Sequence, residues 1–321
     1  MRKVLFIFLF LISFFSLTII SCSGKDESTS SSTTTSSGLF VAVGDNGTIL
    51  TSSDGTTWTS RTSGTTEILR GGAYGNSTLV VVGFSGTILT SSDGTTWTSR
   101  TSGTSNNLRN ITYRNSTFMA VGNSGSIFTS SDGTGWTTRT SGTSQSLSAV
   151  TYGNSTFVTV GASGTILTSS DGTSWTSRTS GTSVELNEVT YGNSTFMIVG
   201  DSGTILTSSD NGTTWTSRNS GTSYDLPGGT YGNSIFMTVS DIGTILTSSD
   251  NGTTWISSSF GTSNILRGIT YGNSTFVTVG DTGTIFTFSV RVGDTGTIDG
   301  ISWDNRTSGT SNILREVTYK E

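Results

Sequence analysis

Apolar and polar positions alternate along this chain in short runs, and the runs recur. Residues 183–222 read SVELNEVTYGNSTFMIVGDSGTILTSSDNGTTWTSRNSGT. Four stretches rich in β-branched and aromatic residues are separated there by Gly- and Asn-rich turns. They predict strand A at LNEVTY, strand B at STFMIV, strand C at TILTS and strand D at TTWTSR. No stretch carries apolar residues at helical spacing. The unit repeats: Trp58, Trp97, Trp136, Trp175, Trp215, Trp255 and Trp303 stand 39, 39, 39, 40, 40 and 48 residues apart. Four antiparallel strands in about 40 residues is the size of one propeller blade, and a β-solenoid coil is usually shorter. The expected fold is all-β, a seven-bladed β-propeller of four-stranded antiparallel blades.

The ends of the repeat region are complementary. The first unit starts at Leu39 with strands B, C and D and no strand A. The last residues, Ser311 to Glu321, read SNILREVTYKE, a strand A with nothing after it. Together they complete one blade, so a C-terminal strand closes the N-terminal blade and removes two exposed edges. The last blade is irregular. Val277–Ile285 reads VTVGDTGTI and Val290–Ile298 reads VRVGDTGTI. The second copy accounts for the final Trp spacing and predicts a bulged or protruding connection between strands C and D.

The polarity changes sharply before Leu39. Met1-Arg2-Lys3 is followed by a nearly unbroken apolar run from Val4 to Ile20, then by Ser21-Cys22-Ser23-Gly24. This resembles a bacterial lipoprotein signal in which Cys22 is lipidated after cleavage. Ile19 stands where Leu is usual, so the match is relaxed. An uncleaved membrane anchor is the alternative reading of the same run. Residues 1–21 are expected to be the signal peptide. Residues 22–38 are then the lipidated Cys22 with a Ser/Thr-rich tether reaching on the order of 20–25 Å, and residues 39–321 the propeller. The expected location is the cell envelope, lipid-anchored to a bacterial membrane, with the outer membrane or surface favoured.

Composition narrows the chemistry. The chain has 321 residues, 42 Gly, one Pro, one Cys, no His and a formal charge of -5. An acidic chain is a poor partner for nucleic acid. Without His, the commonest metal ligand and general base is missing. A lone Cys forms no internal disulfide. No metal and no cofactor are expected, and a monomer is.

The C–D turn repeats a carboxylate: Asp54, Asp93, Asp132, Asp171, Asp210 and Asp250. Around Asp210 it reads Ser208-Ser209-Asp210-Asn211-Gly212-Thr213-Thr214-Trp215; blades 1 to 4 are one residue shorter. An aspartate in such a turn accepts backbone N–H bonds, and Gly permits positive φ. Repetition in almost every blade marks these residues as parts of the fold, not as catalysts. The pattern resembles the BNR/Asp-box propeller superfamily, which includes sialidases, sortilin-type receptors and photosystem II assembly factors. The likeness is strongest to the last group and covers about residues 39–321. It implies the fold far more firmly than any function.

Function is sought where the blades differ. At the start of strand A, Arg267, Arg315, Arg70 and Arg109 fall on four consecutive blades, while Ser148, Asn187 and Pro227 occupy the others. Glu185, Glu188 and Asp225 lie on the opposite arc. Arginine offers a forked donor suited to carboxylates and sulfates. At the first position of the B–C turns, where the other blades carry Asp45, Asn123, Ala162, Asp201, Asp241 and Asp281, Phe84 is the odd one out and the candidate aromatic contact beside Arg70 and Arg109. The opposing reading pairs these arginines with Asp45, Asp281 or Glu316 as plain rim residues. Arg61, Arg100, Arg139, Arg178, Arg218 and Arg306 on strand D are expected to block outer-edge pairing. The function expected is a non-enzymatic binding or assembly scaffold with a protein or carbohydrate partner. The alternatives are a sialidase-like glycoside hydrolase using Glu185 or Glu188, and a degenerating surface antigen.

Overall fold

The computed structural model describes residues 38–292 and 298–321; the expected signal peptide, Cys22 and most of the expected tether lie outside the described residues. The described chain forms seven four-stranded antiparallel sheets. In blade 5 the strands are Leu186–Gly192, Thr195–Gly200, Ile205–Ser208 and Thr216–Arg218. The first three match the expected A, B and C. Strand D starts later than expected, because the Thr214 N–H turns away from strand C to the Asp210 carboxylate at 2.9 Å.

Strand A lies innermost. The seven A strands neighbour one another around the ring, and Leu314–Lys320 contacts both Leu266–Gly272 and Leu69–Gly75. Leu314–Lys320 also pairs antiparallel with Leu39–Gly44, from Leu39 opposite Lys320 to Val43 opposite Glu316. The two chain ends therefore share a blade.

Among the described residues there is no single core. The apolar side chains form seven clusters, each shared by two adjacent blades. Blade 4 contributes Val158, Val160 and Ile166 to one of them and blade 5 contributes Leu186, Phe196 and Ile198, with Trp215 packed against it. Strand alternation produces this layout, since successive side chains point to opposite faces and both faces are covered. Tyr191 on strand A tilts against Phe196 on strand B, ring centroids 4.6 Å apart. The close fit demands glycine where blades approach: a Cβ on Gly192 would lie 2.0 Å from the Tyr231 ring.

Two faces follow from the strand order. The A–B turns meet the C–D turns of the next blade, as in the 2.6 Å bond from Asn193 to Asn251. The B–C turns meet the D–A loops, as in the Phe84 N–H to Ile68 carbonyl bond of 2.8 Å.

The strand-D arginines do more than guard an edge. Arg61, Arg100, Arg139, Arg178 and Arg218 each donate Nε–H to a threonine hydroxyl of strand C at 2.8 Å. They are half-buried and tie the short outer strand to its neighbour. Edge protection alone does not describe them.

The last blade protrudes, but as paired strands where a loop was expected. Strand C runs Ile285–Val292 and strand D Ile298–Arg306. Their pairing continues past Phe288 opposite Trp303 to Val290 opposite Ile301. Strand B ends its pairing at Phe288, so the rest is a two-stranded extension. Val290 is buried with Ile298 and Ile301 packed nearby, which explains why the insertion pairs. Trp303 is 39% exposed and stands edge-on to Phe260 at 5.4 Å. Excising Val290–Ile298 should rejoin Ser289 to Asp299, restore a C–D turn and bury Trp303. A blue shift in tryptophan emission with the far-ultraviolet spectrum preserved is the expected result.

Candidate functional site

The C–D turns are built alike. The Asp54 carboxylate accepts the Thr56 and Thr57 N–H groups at 2.7 and 2.9 Å and the Ser52 hydroxyl at 2.9 Å. The Ser52 hydroxyl oxygen accepts the Gly55 N–H at 2.9 Å. Gly55 has φ 75°, a value open to glycine at no steric cost. Blades 5 and 6 absorb their extra residue as Asn211 and Asn251 at φ 60° and 59°, which asparagine tolerates best among side-chain-bearing residues. The same hydrogen bonds then form from Asp210 and Asp250. The Thr214 hydroxyl, the Thr214 N–H and the Ser208 hydroxyl, all donating to it, hold the Asp210 carboxyl down at about 2. Asp93, Asp132 and Asp171 are likewise held well below the usual carboxylate range by hydroxyl and backbone donors. Each of these carboxylates spends its oxygens on its own turn. Trp58, Trp136, Trp215 and Trp255 then donate Nε1–H to the turn's glycine carbonyl at 3.0–3.1 Å.

The opposite face carries the variable residues. On strand A, the residue after the conserved-position leucine reaches toward the first residue of its own blade's B–C turn. Arg315 is paired with Asp45, with a second bond from Nη2 at 3.0 Å. Arg267 is paired with Asp281 in the same way, the second bond being 3.2 Å. Arg109 donates Nε–H to Asn123 at 2.8 Å, and Asn187 donates to Asp201 at 2.9 Å. In blade 2 the turn residue is Phe84, whose side chain offers Arg70 no acceptor. Among the described residues Arg70 forms no ion pair and donates no hydrogen bond. Burial, then the charges of Arg315, Arg109 and Arg267, pull its guanidinium down to about 10. The side chain is crowded but still touched by solvent. The four arginines thus gather at one mouth of the ring, three with partners and one without. Phe84 is half-buried in its turn.

An acidic arc faces them. Burial, together with the charges of Asp225, Glu185 and Asp241, raises the Asp201 carboxyl. Asp225 accepts the Ser202 N–H at 2.8 Å. The arcs meet where Arg109 of blade 3 reaches Glu185 of blade 5 at 2.8 Å across Ser148 of blade 4, whose hydroxyl donates to the same oxygen at 2.9 Å. Glu188 does not join this arc. A register shift between Leu186 and Glu188 turns it into the central channel, a layer below. Glu185 and Glu188 are therefore not a juxtaposed acid and nucleophile. Among the described residues no group of three or more His, Cys, Asp or Glu side chains is placed to hold a metal ion.

The described chain is a seven-bladed β-propeller, and the comparisons place it among known propellers. The model of the DUF6242 beta propeller domain matches residues 103–231. A solved structure titled "YCF48 bound to D1 peptide" superposes with a TM-score of 0.66 at 19% identity, covering 78% of this chain and 88% of that one. YCF48 from Cyanidioschyzon merolae superposes at 0.60 and 16% identity, covering 74% and 87%. The computationally designed Ika8 protein superposes at 0.56 and 13% identity, covering 86% and 82%. No curated protein sequence matches the chain.

Proposed function

We propose that this propeller is a non-enzymatic binding scaffold that takes an anionic group of a protein partner at the face carrying Arg70. One observation carries the reading. Arg70 is a crowded cation whose expected acceptor has been replaced by Phe84, while its three neighbours are each satisfied. An unpaired, partly desolvated charge is costly, and a partner carboxylate would supply the missing acceptor in a forked geometry. Phe84 offers an apolar surface beside it. The solved YCF48 complex with a D1 peptide, on the same fold, supports a protein ligand over a carbohydrate. The nearby Asp201, Asp225 and Asp241 suit a basic residue elsewhere on the same segment. Anchored through Cys22, the domain would present this face from a membrane of the cell envelope.

The test is binding of an arrayed set of peptides, each made with a free and an amidated C terminus, measured by fluorescence anisotropy. Arg70→Glu should weaken binding of the selected peptides at least tenfold at low salt. Arg315→Ala should weaken it less, since that guanidinium is already committed to Asp45. Equal binding by wild type and Arg70→Glu would remove Arg70 from the site.

A further inference from the structure

A cavity of about 520 Å³ occupies the central channel on the A–B turn side of the arginine layer. Its walls follow from strand alternation. The residues two and four places after the leucine of each A strand face inward. At the inner end stand Glu188 of blade 5 and Glu316 of blade 1, with the Asn110 amide between them and glycine backbone elsewhere. Below them, threonines of six blades, from Thr112 to Thr318, line the wall, and the strand-A tyrosines line the outer end. One oxygen of each glutamate accepts its following residue's N–H, from Val189 and Val317, both at 2.9 Å. Among the described residues the second oxygen of each accepts nothing, and the six threonine hydroxyls make no bond to protein.

We propose that this cup is a binding site for a slim alkylammonium group, entering past the tyrosines and ending between Glu188 and Glu316. Two opposed carboxylates with free oxygens call for a cation that can donate to both, and an ammonium has three donors. The tyrosine ring faces are taken up in the seams, by the preceding blade's glycine at five rings and by Lys320 at Tyr74, so the outer end offers ring edges. The volume falls within the usual range for small-ligand sites, and the wall hydroxyls match amine or solvent donors along a chain.

Protonation supports the same geometry. Burial drives the Glu188 carboxyl well above its usual range, and the Glu316 charge adds to it. Burial raises Glu316 to about 8, against the opposing pull of the Val317 N–H and Arg70. The other charged groups near the cup are at its outer end: Arg114 and Glu321, both exposed, and Lys320, whose ammonium lies 4.9 Å from the Tyr74 ring centroid. An ammonium must displace the protons the glutamates hold, so its affinity should rise with pH between about 6 and 9, with proton release on binding.

Calorimetric titration of the detergent-held full chain with cadaverine tests this. One-to-one binding is expected, with affinity at pH 8.5 at least tenfold above that at pH 6 and a heat that depends on buffer ionisation. Glu188→Gln and Glu316→Gln should each weaken it tenfold or more, whereas Glu185→Gln, on the other face, should not. Pentanol, with the same stem and no charge, should neither bind nor raise the melting temperature of the wild-type chain, a comparison that needs no variant to fold. Binding of cadaverine alone would point to free polyamines. Equal binding of Nα-acetyl-lysine methylamide would point to a lysine of a partner. No heat with cadaverine up to about 10 mM, equal action by pentanol, or unchanged affinity in both folded glutamine variants would overturn the assignment.

Discussion

Replacing Phe196 with alanine should destabilise the propeller by about 3–5 kcal/mol, the range for removing a fully buried aromatic side chain. Phe196 is buried at the seam of blades 4 and 5. It lies against Tyr191 at 4.6 Å and Trp215 at 6.5 Å. The seam is held by strands on both sides, so it cannot collapse fully into the space left. Urea unfolding of the variant measures the loss as a lower midpoint at unchanged slope. A cost under about 1 kcal/mol would mean that the seam is loosely packed, against the close packing normal in protein interiors. Because each cluster is shared only by adjacent blades, Phe40→Ala at the seam of blades 7 and 1 should add to Phe196→Ala nearly independently.

Stability should peak in mild acid, near about pH 4–5, and fall toward pH 8. Two sets of carboxyl groups with opposite shifts set this shape. Asp210 titrates near 2 in the folded state against 3.8 ordinarily. Its contribution is present above the ordinary value and is lost as the pH falls through 2. Glu316 titrates near 8 against 4.5 ordinarily. Between those values the folded protein keeps a proton that the unfolded chain has released. Raising the pH through that window therefore favours unfolding, and the loss levels off above 8. Glu188 acts in the same sense. At about 1.4 kcal/mol per pKa unit, the shift of Glu316 from 4.5 to about 8 sets an upper bound of about 5 kcal/mol on its share of the decline. Melting temperatures from pH 3 to 9 should trace the dome, and Glu316→Gln should flatten its alkaline side. A wild-type profile that rises from pH 5 to 8 would contradict the buried placement of the pair.

The blades were legible because their determinants are local. Seven tryptophans mark the units, turn residues mark the strand ends, and the half-units at Leu39 and Ser311 announce the shared blade. The pairing of strand-A residues with the B–C turn was within reach of the sequence too: Arg267 and Asp281, Arg109 and Asn123, and Asn187 and Asp201 each stand at the same separation. Against that regularity, Arg70 beside Phe84 reads as an exception. The Glu188–Glu316 pair was not legible. Its members sit in blades 1 and 5, and nothing in the repeat says which strand-A positions face the channel once the chain shifts register after the leucine. The strand-D arginines misled for a related reason. Exposure on an outer strand is visible in the pattern, whereas the reach of Nε to a threonine on the adjacent strand depends on the sheet's twist. The nine-residue insertion was located correctly, but its apolar residues made pairing cheaper than looping out.

The pairing of Leu39–Gly44 with Leu314–Lys320 also sets an order of events in the making of the protein. A chain that emerges residue by residue from its N-terminus can stack blades 2 to 7 as an open arc, each on the one before it. The blade holding the first strand stays incomplete until the final residues are free. Until then the arc keeps two unsatisfied strand edges and two bare seams. Completion therefore waits on the synthesis of Leu314–Lys320, and a chain cut short before that strand would lose its ring as a whole, although six blades were fully encoded.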